Sequence, residues 1–326
     1  MNADPAVMTL IDDLCDQLER AGLSGSYLVR DLSTGEELGI EPDRPLPLAS
    51  LVKVPLGLAV LENIRLGTLD SARRVQVRPG RTTTPGPTGI MRFQHVAEIA
   101  VEDALSLAVS LSDNAAADTL FELVPSPDVM NILSKWNIGS ITVRESLSAL
   151  TRTPAEVLSQ EDTDLAHALA IEKTTEGGGH RLEQFDLDRT NVGSARGLVD
   201  MLDTVWTALS PRGSPSSRNP SSLAPWVAAR MRDLMGANVH RHRLTPDFAS
   251  DASRWSSKTG TQLNLRHEIG VVEHADGSVL AIAALTESRV AAATQPGAEA
   301  VMAGVARQLH DYLRSHHQRQ PAGPHQ

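Results

Sequence analysis

A chain of 326 residues with 41% apolar and 21% charged side chains can bury a large core, which excludes a disordered or fibrous protein. Thirty Lys plus Arg against forty Asp plus Glu give a formal charge of −10, a balance that argues against nucleic acid and anionic membrane as partners. Aromatic residues make up only 3%, so the core falls to Leu, Val and Ala, and no run of apolar residues is long enough to read as a membrane helix.

Ile11, Leu14, Cys15 and Leu18 recur at helical spacing, which predicts a helix over 7–22 that stops at Gly22. Cys15 is the only cysteine. It is expected as a small core residue and excludes an intrachain disulfide. The acidic start MNADPAVMTLIDD has neither the basic nor the apolar region of a signal peptide, so the expected location is cytoplasmic. SYLVRDLSTGEELGIE reads as two strands around a turn at Ser33-Thr34-Gly35.

From about 48 to 250 the pattern is helical, interrupted by the Gly/Pro/Ser/Thr-rich segments 78–89 and 210–222. The charged stretch 159–190, with its Gly177-Gly178-Gly179 run, fits no regular element. Strand character returns in RWSSKTGTQL, RHEIGVVEH and SVLAIAALTES, the last two joined by Ala275-Asp276-Gly277. A closing helix is expected over 297–314 and a disordered tail over 316–326. Strands at both ends of the chain imply an α+β architecture: one antiparallel sheet flanked by helices, with an all-helical lobe inserted. The expected organisation is a single domain over 1–315, its sheet lobe at about 1–47 and 251–315 and its helical lobe at about 48–250.

Three short segments could carry chemistry. Ser50 and Lys53 lie three apart at a helix start, so they share a face, and the helix dipole there favours an alkoxide or oxyanion. Ser112-Asp113-Asn114 falls at a junction between two helical patterns, where Asp113 also reads as an N-cap. Lys258-Thr259-Gly260 opens a strand. Each alone is common. A helix cap explains the first and a helix junction the second.

In this order and these contexts, Ser-x-x-Lys, Ser-Asp-Asn and Lys-Thr-Gly resemble the set of penicillin-recognising serine enzymes, in particular class A β-lactamases and their serine-hydrolase relatives. The likeness extends to LASLVKVPLGLAVLENIRLGTLD, LSLAVSLSDNAAADTL and SSKTGTQLNLRHEIGVV, and covers roughly residues 20 to 315. It implies Ser50 as the nucleophile of an acyl-enzyme and Lys53 as a base whose burial beside Lys258 lowers its pKa. Ser112 would relay a proton to the leaving group, and Asn114 would hold the substrate amide and Lys53. Lys258 would supply positive potential. The backbone N–H groups of Ser50 and Thr261 would form the oxyanion hole. Thr259, Gly260, Thr261 and Arg266 would line the substrate site, the Thr259 and Thr261 hydroxyls and Arg266 binding a carboxylate. Thr88 and Gly89 would form a wall of the cleft.

One departure matters. The family's Glu-x-x-Leu-Asn loop, which activates the deacylating water, has no counterpart here. Glu145, Glu156, Glu172, Glu176 and Glu183 all lack its context. The expectation is therefore a serine hydrolase, esterase- or amidase-like, with weak or no β-lactam turnover, acting without a cofactor as a monomer on a small ester, amide or β-lactam. A genuine class A β-lactamase is the alternative, and a DD-peptidase-like enzyme or a non-catalytic penicillin-binding module stands behind it. Ser-Asp-Asn with Lys-Thr-Gly argues against a glutaminase. His240-Arg241-His242 and His316-His317 lack the carboxylate or cysteine partners of a metal site.

Overall fold

The structure, a computed structural model, describes residues 5–79, 88–150, 171, 175, 179–180, 182–208, 222–290 and 295–319. Helix α1 (Pro5–Arg20) leads through Gly22, at φ 71°, into β1 (Leu23–Asp31) and β2 (Glu37–Ile40). Gly35, at φ 77°, takes the left-handed position of the expected turn. The last strands are β8 (Ser253–Gln262), β9 (Leu265–His274) and β10 (Val279–Ser288). All five form one antiparallel sheet in the order β2-β1-β10-β9-β8. The two chain ends thus meet as the β1–β10 pair, Leu23 opposite Ser288 through Asp31 opposite Leu280.

β10 is apolar almost without interruption because both of its faces are covered. Ala281, Ala283 and Leu285 belong to the larger core, whereas Leu280, Ile282 and Ala284 belong to a second one. The period of two sorts them without exception. The second core contains Leu14 and Leu18 of α1 and Met302, Val305, Ala306, Leu309 and Leu313 of the closing helix, Pro296–Arg319. Cys15 is exposed, contrary to the expectation from spacing. Leu14 and Leu18, four apart, already fill the buried stripe, and the next residue along lies about 100° round the helix.

The larger core fills the space between the other sheet face and the helices of the inserted segment. At its centre is α2 (Lys53–Leu66), every residue of which is buried from Lys53 to Leu61. A helix apolar all round is one surrounded by others: α3 (Val101–Ser110), α4 (Asn114–Leu123), α5 (Ser126–Lys135) and the helix Pro225–Gly236 pack against it. Gly57 admits that approach, since a Cβ there would sit 2.8 Å from Met231 Cε and 3.2 Å from Leu105 Cδ1. The segment is not wholly helical. Two short ladders, β4 (Arg74–Val77) with β5 (Ala97–Ala100) and β3 (Leu46–Pro47) with β7 (Val192–Gly193) and β6 (Ile141–Thr142), lie within or beside it. Runs of two to four residues show too little alternation to be legible as strands.

Most of 78–89, 159–190 and 210–222, and the tail beyond 319, lie outside the described residues. Among the described residues no helix is long and apolar enough to cross a membrane.

Leu285 is fully buried between the sheet and the helices. Leu285→Ala should lower the unfolding free energy by about 2–5 kcal/mol with an unchanged denaturant slope, measured by urea titration.

Candidate active site

The site is assembled from three pieces of backbone that meet beside the exposed edge of the sheet. Ser50 lies in a single 3₁₀ turn, Ala49–Val52, which runs directly into α2 at Lys53. That turn packs on β8 and β9. The approach is close enough that a Cβ on Gly260 would come within 3.1 Å of Leu48 O and of Leu51 Cγ. Glycine at this point lets the sheet edge lie against the serine turn.

Lys53 is fully buried. Its Nζ donates to Ser112 O at 2.5 Å, to Asn114 Oδ1 at 2.5 Å and to Ser112 Oγ at 3.2 Å. Burial pulls its pKa down to about 7, against the opposing pull of the Asp113 and Asp118 carboxylates. Lys258, also fully buried, donates to Ser112 Oγ at 2.9 Å and to Thr259 O at 2.7 Å. Burial first, and then the charges of Lys53 and Arg243, hold it well below the ordinary lysine range. Two amines thus converge on one hydroxyl, and desolvation disfavours both charges. The chain has four lysines among its thirty basic side chains, and two of them are here. An amine can shed its proton when buried, whereas a guanidinium cannot, which is a physical reason for lysine at these positions.

The Ser112 turn is strained and held from several sides. Ser112 has φ 61°, a left-handed conformation that costs a non-glycine residue on the order of 1–2 kcal/mol. The preceding carbonyl, Leu111 O, accepts from Thr88 Oγ1 at 2.8 Å and from His240 Nε2 at 3.2 Å. An acceptor there requires the proton on Nε2, and burial lowers the His240 pKa in keeping with a neutral ring. On the other side Asp113 caps α4 through Ala116 N–H at 3.1 Å and accepts a short bond from Ile90 N–H. Asp113 is therefore a cap and also the anchor of the neighbouring loop. Gly89, at φ 75°, sits where a Cβ would fall 2.1 Å from Asp113 Oδ2.

Thr261 is exposed at the end of β8. β8 and β9 are joined by a two-residue hairpin flanked by the Gln262–Leu265 pair. Ladder bonds alternate along an antiparallel pair, so the N–H of Thr261 turns away from β9 toward the open edge, the side on which the Ser50 turn packs. Thr261 Oγ1 accepts from Arg243 Nη2 at 2.7 Å, and Arg243 also donates to Gly260 O at 3.0 Å and to Glu299 at 3.0 Å. Arg266 is buried beside Glu299, with Nη1 on Leu263 O at 2.5 Å and Leu265 O at 2.7 Å. The cation in contact with Thr261 is thus Arg243, which sequence reasoning did not single out. It follows a helix in a segment without any recognisable spacing, and only the fold brings it to β8.

Glu145 is exposed, and Glu183 pairs at the surface with Arg189 at 2.7 Å. Glu156, Glu172 and Glu176 lie outside the described residues. His242 is half exposed, 3.8 Å from Glu299, and His316 stacks on Tyr312.

An antiparallel sheet with Lys-Thr-Gly on its edge strand, facing a helical lobe that carries Ser-x-x-Lys and Ser-Asp-Asn, defines the class A β-lactamase and transpeptidase fold. The sequence matches the β-lactamase enzyme family over residues 7–313, and the chain belongs to that family. It is 57% identical over 308 residues to the β-lactamase regulatory protein BlaB of Streptomyces cacaoi, a match covering 94% of this chain and 98% of that protein. Among solved structures, PBP-A aligns with a TM-score of 0.70 at 16% identity, covering 94% of this chain and 96% of that one. A β-lactamase from Sphaerobacter thermophilus DSM 20745 aligns with a TM-score of 0.68 at 17% identity, covering 97% and 99%. These structural likenesses are of fold.

Gly89→Ala should drive a methyl group into Asp113 and release the Ser112 turn. We expect a loss of stability of about 1–3 kcal/mol in thermal melts.

Proposed function

We propose that the protein is a serine acyl-transfer protein whose Ser50 is acylated by β-lactams and by small esters or amides, and that the β-lactam adduct is long-lived. The observation that carries this reading is the convergence of Lys53 and Lys258 on Ser112 Oγ, with Ser50 in the turn that packs on β8 and leads into Lys53. Lys53, uncharged for part of the time near neutral pH, takes the proton of Ser50 Oγ as the oxygen attacks the substrate carbonyl. The tetrahedral oxyanion lies against the N–H groups of Ser50 and Thr261. When the C–N or C–O bond breaks, the proton passes through the Ser112 hydroxyl to the leaving nitrogen or oxygen, leaving an ester on Ser50. Asn114 Oδ1 holds Lys53, so its Nδ2 is the donor left for the substrate amide. Arg243 and Arg266 outweigh Glu299 at the end of β8, which suits a carboxylate on the substrate.

Hydrolysis of that ester needs a positioned water. The sequence contains no Glu-x-x-Leu-Asn segment, and the leaving group of a β-lactam stays tethered in the site, where it obstructs water. An ester or peptide releases its leaving group and can turn over. The relative from Streptomyces cacaoi is named a regulatory protein, which supports a sensing role in which acylation, rather than destruction of the drug, is the signal.

Incubation with benzylpenicillin should give a persistent adduct of intact mass in the wild type and none in Ser50→Ala, while a chromogenic ester is turned over by the wild type alone. Rapid loss of penicillin without an adduct would replace this reading by a β-lactamase. The acylation rate should rise with pH through a midpoint near the Lys53 pKa of about 7, because only the neutral amine accepts the proton. A rate independent of pH between 5 and 9 would remove Lys53 from the step.

A further inference from the structure

Asp118 belongs to no sequence motif, yet the fold brings it to the acylation machinery. It lies on α4 one turn beyond Asn114, so the two share a face. Asn114 grips the Lys53 amine through Oδ1 at 2.5 Å, while Asp118 Oδ1 accepts from Ser148 N–H at 3.0 Å. Ser148 lies in the short helix Leu147–Leu150. The carboxylate thus bonds to the helix Leu147–Leu150 from the same face of α4 as the residue that grips the amine.

The charged groups facing this pair are Lys258 from β8, Asp113 from the turn before α4, and Glu122 one turn further along α4. They act unequally. Asp113 is committed to the N–H groups of Ala116 and Ile90, and Lys258 opposes a second positive charge on Lys53. Burial pushes the Asp118 pKa up to about 6, against the N–H groups of Ser148 and Leu147 and the charge of Lys53, which pull it down. Asp118 thus changes charge close to the pH at which Lys53 does, and each favours the charged form of the other.

We propose that Asp118 is the counter-charge of Lys53, a positioning residue that sets the protonation of the amine and with it the pH range in which Ser50 is acylated. This rests on the reading of Lys53 as the acylation base. A helix cap alone would also explain the bond to Ser148, so the test separates charge from capping.

Asp118→Asn keeps an oxygen acceptor for Ser148 and removes the charge. With four lysines in the chain, the ε-¹³C resonance of Lys53 can be followed by NMR, assigned by its loss in Lys53→Met. In a Ser50→Ala background, where no acylation intervenes, Asp118→Asn should lower the Lys53 titration midpoint by about one pH unit. Asp118→Ser, a smaller neutral acceptor, should lower it likewise. With Ser50 restored, the acid limb of penicillin labelling should move down in step, whereas a mere cap would change stability or rate evenly at every pH. An unmoved Lys53 midpoint overturns the proposal. A midpoint that moves while labelling keeps its pH profile, or does not occur, overturns instead the reading of Lys53 as base.

Discussion

The site depends on an amine held inside the protein. Lys53 begins a helix that is buried on every side, and its Nζ reaches the turn between α3 and α4 instead of water. Desolvating an ammonium is costly. The cost is met in part by three acceptors and in part by the amine's readiness to lose its proton. Any rearrangement that let water in would restore the charge, so the packing of the helical lobe and the protonation of the amine are the same constraint.

The other components are arranged around that amine. Ser112 accepts from both lysines while in a left-handed conformation, and partners on three sides hold it there: Thr88 and His240 on the preceding carbonyl, Lys53 on its own, and Asp113 tied to α4 and to Ile90. Strain of this kind persists where the surroundings over-determine it. The sheet contributes its free edge. β8 has a partner on one side only, and an unpaired strand edge that would otherwise invite association is here covered in part by the Ser50 turn. The proposed oxyanion hole draws on an N–H group of that edge.

This arrangement also bears on the difference between forming an acyl-enzyme and clearing it. The proposed formation step calls on a serine at a helix start, two buried amines and the one hydroxyl that accepts from both. Clearance calls for an oriented water and a base to activate it, and of the glutamates weighed for that role the two that are described, Glu145 and Glu183, face solvent or a surface arginine. Asp118 is, with Asp113, an acid whose charge acts on Lys53, and its carboxylate accepts from Ser148 N–H.

Much was determined by the sequence alone. The short apolar run of β10, the helical spacing in α1, the turn glycines and the three short motifs are local patterns, and local patterns are legible because backbone geometry has few periods. They placed both chain ends in one sheet and named Ser50, Lys53, Ser112 and Lys258 as a group. Other features came only with tertiary structure. Cys15 and Leu14 are neighbours in sequence, and only the packed closing helix decides which is buried. Arg243 and Asp118 sit in segments with no spacing to mark them, and they matter because distant backbone approaches them: β8 in one case, Lys53 and Ser148 in the other. The shift in Lys53 is implied at the level of sequence only by the family resemblance, since a lysine in a helical sequence carries no sign of its own burial. Desolvation is a property of everything that surrounds a group, and a sequence specifies only its neighbours along the chain.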